Sequence, residues 1–146
     1  MNSDLMARRT LYHVSLGVRE MARTRVFYIA ALSTLGIRLL FEFKNDAGDV
    51  VSMGFGKSFP ELWVNRPLDG GQTMPSNGTH VALFAPDAGA VQAFHRAGIA
   101  AGGTDAGDPG YRTEYQPGYY AAFLRDPDGN KVEAVWLDMS KKDTAL

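Results

Sequence analysis

A short pattern occurs twice in this chain, and its recurrence limits the possible fold more than any other feature. His13-Val14-Ser15-Leu16 is echoed by His80-Val81-Ala82-Leu83 at an offset of 67 positions, and Phe27 by Phe94 at the same offset. Self-similarity at a fixed spacing marks two copies of one supersecondary unit. In the first copy, apolar residues alternate from Tyr12 to Val18, with Tyr12, Val14, Leu16 and Val18 on one side and His13, Ser15 and Gly17 on the other, which predicts a strand. Phe27, Tyr28, Ala31, Leu32 and Leu35 recur at helical spacing and predict an amphipathic helix over 19–35, with Gly36 at the C-cap position. Strand-like runs follow at 38–43, 50–55 and 61–65, the second preceded by an Asn45-Asp46-Ala47-Gly48 turn. The unit reads β-α-β-β-β.

The stretch 67–77, rich in Gly, Pro and polar residues, reads as a connector. Beyond it Asp87 is placed to cap a short helix running to about Ala97, which Gly98 would end. A long Gly-rich excursion over 101–118 precedes strands at 119–125 and 131–137, joined by a turn at Asp126-Pro127-Asp128-Gly129. The prediction is one α+β domain over 1–146, with module 1 at about 11–66 and module 2 at about 78–138.

Composition narrows the function. The formal net charge is −1 and no Lys/Arg cluster stands out, so the positive field needed to bind a nucleic acid backbone is missing. No stretch approaches the roughly 18 to 20 apolar residues of a membrane span, and a cytoplasmic protein is expected. Cysteine is absent, which rules out disulfides, thiolate metal sites and cysteine nucleophiles and leaves His and carboxylates as the metal-binding side chains.

Four such residues take paired places. His13 and His80 open the first strand of each half, and Glu61 and Glu133 lie on the last, at an offset of 72 that a few inserted residues would explain. Two imidazoles and two carboxylates converging from two modules suit a divalent ion such as Zn, Ni, Co, Mn or Fe. The bland reading differs for each residue. A single strand histidine is usually a hydrogen-bonded structural residue, and Glu61, just after Pro60, has the place of a solvent-facing edge residue. Glu133, between Val132 and Ala134, would be costly to bury without a partner and is the strongest ligand candidate. His95, beside Arg96 on the second helix, is read as surface.

The run Arg125-Asp126-Pro127-Asp128-Gly129-Asn130-Lys131-Val132-Glu133-Ala134-Val135 resembles the closing β-hairpin of the vicinal oxygen chelate superfamily, which includes glyoxalase I, thiol transferases of fosfomycin resistance, extradiol dioxygenases and bleomycin-binding proteins. His13 in His-Val-Ser-Leu, the Phe27-Tyr28 helix and His80 in Thr-His-Val-Ala-Leu support it, and the match covers nearly the whole chain. The resemblance implies paired βαβββ modules forming a cupped eight-stranded mixed sheet, usually as a homodimer. It also implies a His13/Glu61/His80/Glu133 site like that of glyoxalase I, with Glu133 or Glu61 shuttling a proton. Asn65 matches a position that helps bind glutathione in glyoxalase I, and Trp63 lies beside it on the same predicted strand as a substrate contact. Gly17 and Ser76, however, stand where glyoxalase I carries two glutathione-binding arginines, which leaves the glycyl carboxylate of glutathione without ion-pair partners.

The segment 107–120 gathers Tyr111, Arg112, Tyr115, Tyr119 and Tyr120 among glycines and prolines. This composition fits a pocket wall or lid, or equally an ordinary loop packed on the sheet or a second subunit. Arg112 is its only cation and the expected contact for an anionic substrate group. The function expected first is metal-dependent lyase or isomerase chemistry on a small substrate with vicinal oxygens. An Fe(II) ring-cleaving dioxygenase using only His13, His80 and Glu133, and a metal-free drug-binding protein, are the alternatives.

Overall fold

The computed structural model describes residues 7–144. Its first half contains β1 (Val14–Gly17), α1 (Met21–Ser33), β2 (Arg38–Lys44), β3 (Val50–Gly56) and β4 (Pro60–Asn65). The second repeats the order with β5 (His80–Phe84), α2 (Ala88–Ala100), β6 (Thr104–Tyr111), β7 (Tyr119–Arg125) and β8 (Lys131–Leu137). The eight strands form two mixed sheets of four, ordered β1-β4-β3-β2 and β5-β8-β7-β6. In each sheet the first strand of the module lies parallel to the last, and the other pairs are antiparallel. Among the described residues no helix is long and apolar enough to cross a membrane.

Both sheets turn one face to the same core. Leu16, Met53, Phe55, Leu62 and Val64 of the first sheet share it with Ala122, Leu124, Val132 and Ala134 of the second, and the helices fill the space between through Phe27, Tyr28, Leu32, Val91 and Phe94. Fully burying one such side chain contributes about 1.5–3 kcal/mol. Side chains alternate along a strand, so residues of the opposite parity, including Ser15, Trp63, Ala82 and Glu133, lie on the faces turned away from this core.

A buried polar joint ties the halves together. The Tyr28 hydroxyl donates to Asp126 Oδ2 at 2.8 Å, and Asn130 Nδ2 donates both to Asp126 Oδ2 at 2.9 Å and to the Gly17 carbonyl at 2.8 Å. Burial, followed by the adjoining Asp126 charge, raises the Tyr28 pKa well above its usual value, so this phenol stays a donor.

Two sequence readings change. Gly98 does not end α2 but lies inside it, because a Cβ there would fall 2.2 Å from Leu124 Cδ1. It permits close helix–sheet packing, and the chain reverses later, at Gly102 with φ +100°. The Gly-rich excursion contains the strand β6. Gly107 pairs with Phe123, and a Cβ on it would come within 2.8 Å of the Phe123 ring, so glycine lets an irregular strand pass beside a large side chain.

Candidate functional site

On the outer face of the second sheet, β5, β8, β7 and β6 place Ala82, Glu133, Phe123 and Gly107 side by side. Glu133 is only 1% exposed, and a carboxylate so enclosed needs partners for both oxygens. The Tyr119 hydroxyl donates to Oε1 at 2.5 Å, and His80 Nε2 stands 3.0 Å from Oε2. Burial, then the hydrogen bond to Glu133, pushes the Tyr119 pKa far above the usual tyrosine range, so Tyr119 remains a donor at any physiological pH. His80 keeps 40% of its side chain exposed and marks the point from which the buried carboxylate can be reached. Lys131 Nζ and Arg112 Cζ lie 4.7 and 5.6 Å from the centre of the neighbouring Phe123 ring, which places two cations near the Glu133 carboxylate.

The matching row of the first sheet is Ser15, Trp63, Gly54 and Phe41. Val14 pairs with Leu62 and Val81 with Val132, so the counterpart of Glu133 is Trp63, and the counterpart of Glu61 is Lys131. The sequence pairing of Glu61 with Glu133 is thus two residues out of register. Gly54 accompanies Trp63 for steric reasons, since a Cβ there would meet the indole at 2.7 Å. Trp63 stacks on Phe43 with centroids 5.6 Å apart, and His13 stands edge-on to Trp63 at 6.5 Å. These rings bound a hollow of about 300 Å³ that Ser15, Ser52 and Asn65 also line. Glu61 is paired with Arg9 Nη1 at 2.6 Å and has 47% of its side chain exposed.

Of the four predicted ligands, one chain therefore brings together His80 and Glu133, while His13 and Glu61 lie on the other sheet. Among the described residues, three ligand-type side chains have their donor atoms mutually within 4.8 Å only at His95, Asp105 and Asp108. His95 is not the surface residue expected: it is 8% exposed, with Nε2 2.8 Å from Asp105 Oδ1. Val91, Phe94, His95 and Gly98 share the buried stripe of α2, a periodicity visible in the sequence that the charged neighbour Arg96 masked.

The aromatic segment divides between the two faces. Tyr115 stands edge-on to Tyr119 at 5.3 Å, and Arg112 reaches over Phe123 while donating to the Asp108 carbonyl at 2.6 Å. Tyr120 points the other way and accepts from Gln92 on α2 at 3.0 Å, and the Tyr111 hydroxyl donates to Asp138 at 2.9 Å. Tyr119 is the residue that touches Glu133, and sequence reasoning placed it only in the general wall. Alternation backwards from Phe123, which pairs with Glu133, was the available signal. Asn65 Oδ1 accepts the Ser52 hydroxyl, so its amide NH₂ is left to donate.

Residues 10–134 match the family described as the Glyoxalase/Bleomycin resistance protein/Dioxygenase superfamily. A glyoxalase/bleomycin resistance protein from Albidiferax ferrireducens is 32% identical, with a TM-score of 0.73 over 87% of this chain and 98% of that one. A glyoxalase-related enzyme from Fulvimarina pelagi shares the fold at 15% identity and TM-score 0.65, over 88% of this chain and 87% of that one. A superfamily enzyme from Burkholderia phytofirmans does so at 19% and 0.62, over 86% and 96%. No curated protein matches the chain.

Proposed function

Because the chain belongs to the glyoxalase/bleomycin resistance protein/dioxygenase superfamily, we propose that it is a metal-dependent enzyme of the lyase or isomerase type acting on a small substrate through two neighbouring oxygens. The observation that carries this is Glu133: a carboxylate 1% exposed, with one oxygen held by Tyr119 and the other beside His80. Structural carboxylates are normally buried against Arg, Lys or several backbone amides. Here the hydrogen-bond partners are a phenol and an imidazole, a donor set that fits a divalent ion.

His80 and Glu133 of one copy and His13 of a second would hold that ion, since the two outer faces of one chain point away from each other. The copies would meet as a homodimer through apolar side chains these faces leave exposed, Tyr12 and Phe43 on the first sheet and Phe84 and Tyr115 on the second. A bound divalent ion supplies Lewis acidity toward two adjacent substrate oxygens. Glu61, on the same side of β4 as Trp63 but two residues from the position equivalent to Glu133, serves as proton carrier once it leaves Arg9, rather than as a close ligand. Trp63 and Phe43 shield that transfer from water. A cytoplasmic location accompanies this reading.

One observation favours a second reading. With Trp63 at the position equivalent to Glu133, two histidines and one carboxylate remain, the ligand set of non-haem Fe(II) oxygenases. Metal analysis of protein purified without chelators tests the common premise: wild type should carry about one divalent ion per assembled site and His80→Ala should lose it. Full occupancy in His80→Ala would end both readings. Oxygen uptake with a catechol would select the dioxygenase.

A further inference from the structure

Residues three apart on a regular strand face opposite sides of the sheet. In β6 the register shifts between Asp105 and Gly107 and again between Gly107 and Gly110, and Asp105 and Asp108 both come to the side covered by α2. There they meet His95. Its Nε2 stands 2.8 Å from Asp105 Oδ1 and 3.9 Å from Asp108 Oδ1, and the three donor atoms lie within 4.8 Å of one another.

The imidazole is the fixed member of this group. It belongs to the buried stripe of α2 with Val91, Phe94 and Gly98, and its side chain is 10% exposed. The carboxylates are open to solvent, with 52% and 86% of their side chains exposed. Among the described residues neither pairs with Lys or Arg, and Arg112 donates to the Asp108 main-chain carbonyl instead. Two like charges therefore gather round one imidazole, whose protonation can offset at most one of them. Ligand bonds of about 2.0–2.2 Å at a tetrahedral ion set the donor atoms about 3.4 Å apart. The distances of 2.8 and 3.9 Å from Nε2 bracket that spacing.

We propose that His95, Asp105 and Asp108 form a second divalent-cation site, on the side of the second sheet opposite His80 and Glu133. One imidazole nitrogen with two carboxylate oxygens favours Zn(II) or a neighbouring first-row ion over Ca(II) and Mg(II), which prefer oxygen ligands alone. The open carboxylates leave the remaining positions to water, so the ion exchanges readily and would be lost on purification. By joining α2 to β6 it steadies Asp108, whose carbonyl supports Arg112 beside Phe123. The site stands whether or not the metal reading above holds.

The test adds ZnCl₂ to chelator-treated, full-length His80→Ala protein, which keeps His13 and His95 as its only imidazoles. In long-range ¹H–¹⁵N spectra zinc should shift the His95 ring nitrogens at lower concentration than those of His13. Adding Asp108→Asn, a change to a solvent-exposed side chain that does not endanger folding, should weaken zinc binding at His95 at least about tenfold. Losing even an outer partner of a ligand commonly costs that much. Asp46→Asn, which removes an exposed carboxylate from the β2–β3 turn, should leave binding unchanged, and excess CaCl₂ should not displace the zinc. His95 resonances unmoved at about 1 mM zinc, full affinity in the Asp108→Asn protein, equal weakening by Asp46→Asn, or displacement by calcium would overturn the site. The metal content of purified wild type bears on Glu133 and not on this site.

Discussion

Tyr119 holds Glu133: its hydroxyl lies 2.5 Å from Oε1, on the side of the carboxylate away from the His80 ring. Tyr119→Phe removes that donor and leaves a buried carboxylate oxygen unsatisfied. The expected cost is about 1–3 kcal/mol of stability, and metal affinity should fall about 10–100-fold, as when an outer partner of a ligand is lost. Urea denaturation and a metal titration on the same variant check both numbers. Unchanged affinity would mean that Glu133 is not a ligand.

Glu61 and Glu133 should respond differently to the same substitution. Glu133→Gln removes the charge from the buried pair and should release the metal. Glu61→Gln should retain it, because that side chain lies on the exposed ion pair with Arg9. If Glu61 is the base, its loss should lower turnover by about 10²- to 10⁴-fold. Metal release by both variants would restore a four-ligand site.

Much of this was legible in the sequence. The repeat around His13 and His80 predicted two βαβββ units, and the apolar neighbours of Glu133 predicted its burial. The register of Glu61 was not legible, because counting along the chain cannot see bulges, and β2, β3 and β6 all contain shifts. Nor was β6, whose glycines read as loop until the Phe123 ring that requires them is placed. Gly98 misled for a similar reason: a glycine near a helix end resembles a cap whether it serves backbone reversal or close packing.

Tyr28→Phe should destabilise the protein by about 1–3 kcal/mol, with Tm falling roughly 2–4 °C for each kcal/mol. Asp126→Ala should cost more, since Tyr28, Asn130 and the backbone amides of Asp128 and Asn130 all donate to that carboxylate. Thermal melts of the two variants settle the order. A Tyr28→Phe protein as stable as wild type would show that the joint between the modules is carried elsewhere.

The His95–Asp105 pair predicts a pH dependence. The hydrogen bond from His95, with a second from the Gly107 amide, holds the Asp105 pKa below its ordinary value. A depressed carboxylate contributes its stability above the unfolded-state pKa, about 3.9, and loses it as the pH falls through the folded value. Asp105→Asn should therefore be less stable than wild type near neutrality, with the gap closing below about pH 4. A gap independent of pH would mean that the interaction does not depend on the Asp105 charge.

Turnover of the methylglyoxal–glutathione hemithioacetal should be weak or absent, because Gly17 and Ser76 provide no cation for the glycyl carboxylate. A kcat/KM of about 10⁴ M⁻¹s⁻¹ or more, within the ordinary range of enzymes, would make glutathione a true substrate and remove the argument from those two positions.

The parallel pairing of β1 with β4 and of β5 with β8 also governs how the chain is made. Neither sheet can close until the last strand of its module has been synthesised, and the core that both sheets face is incomplete until Leu124, Val132 and Ala134 have left the ribosome. A nascent chain ending near Asn65 would therefore present Phe27, Leu32 and Phe55 to its surroundings for as long as translation of the second module takes. At the usual rates of synthesis that is several seconds, and in this interval the early half is most open to chaperone capture or to pairing with the wrong copy.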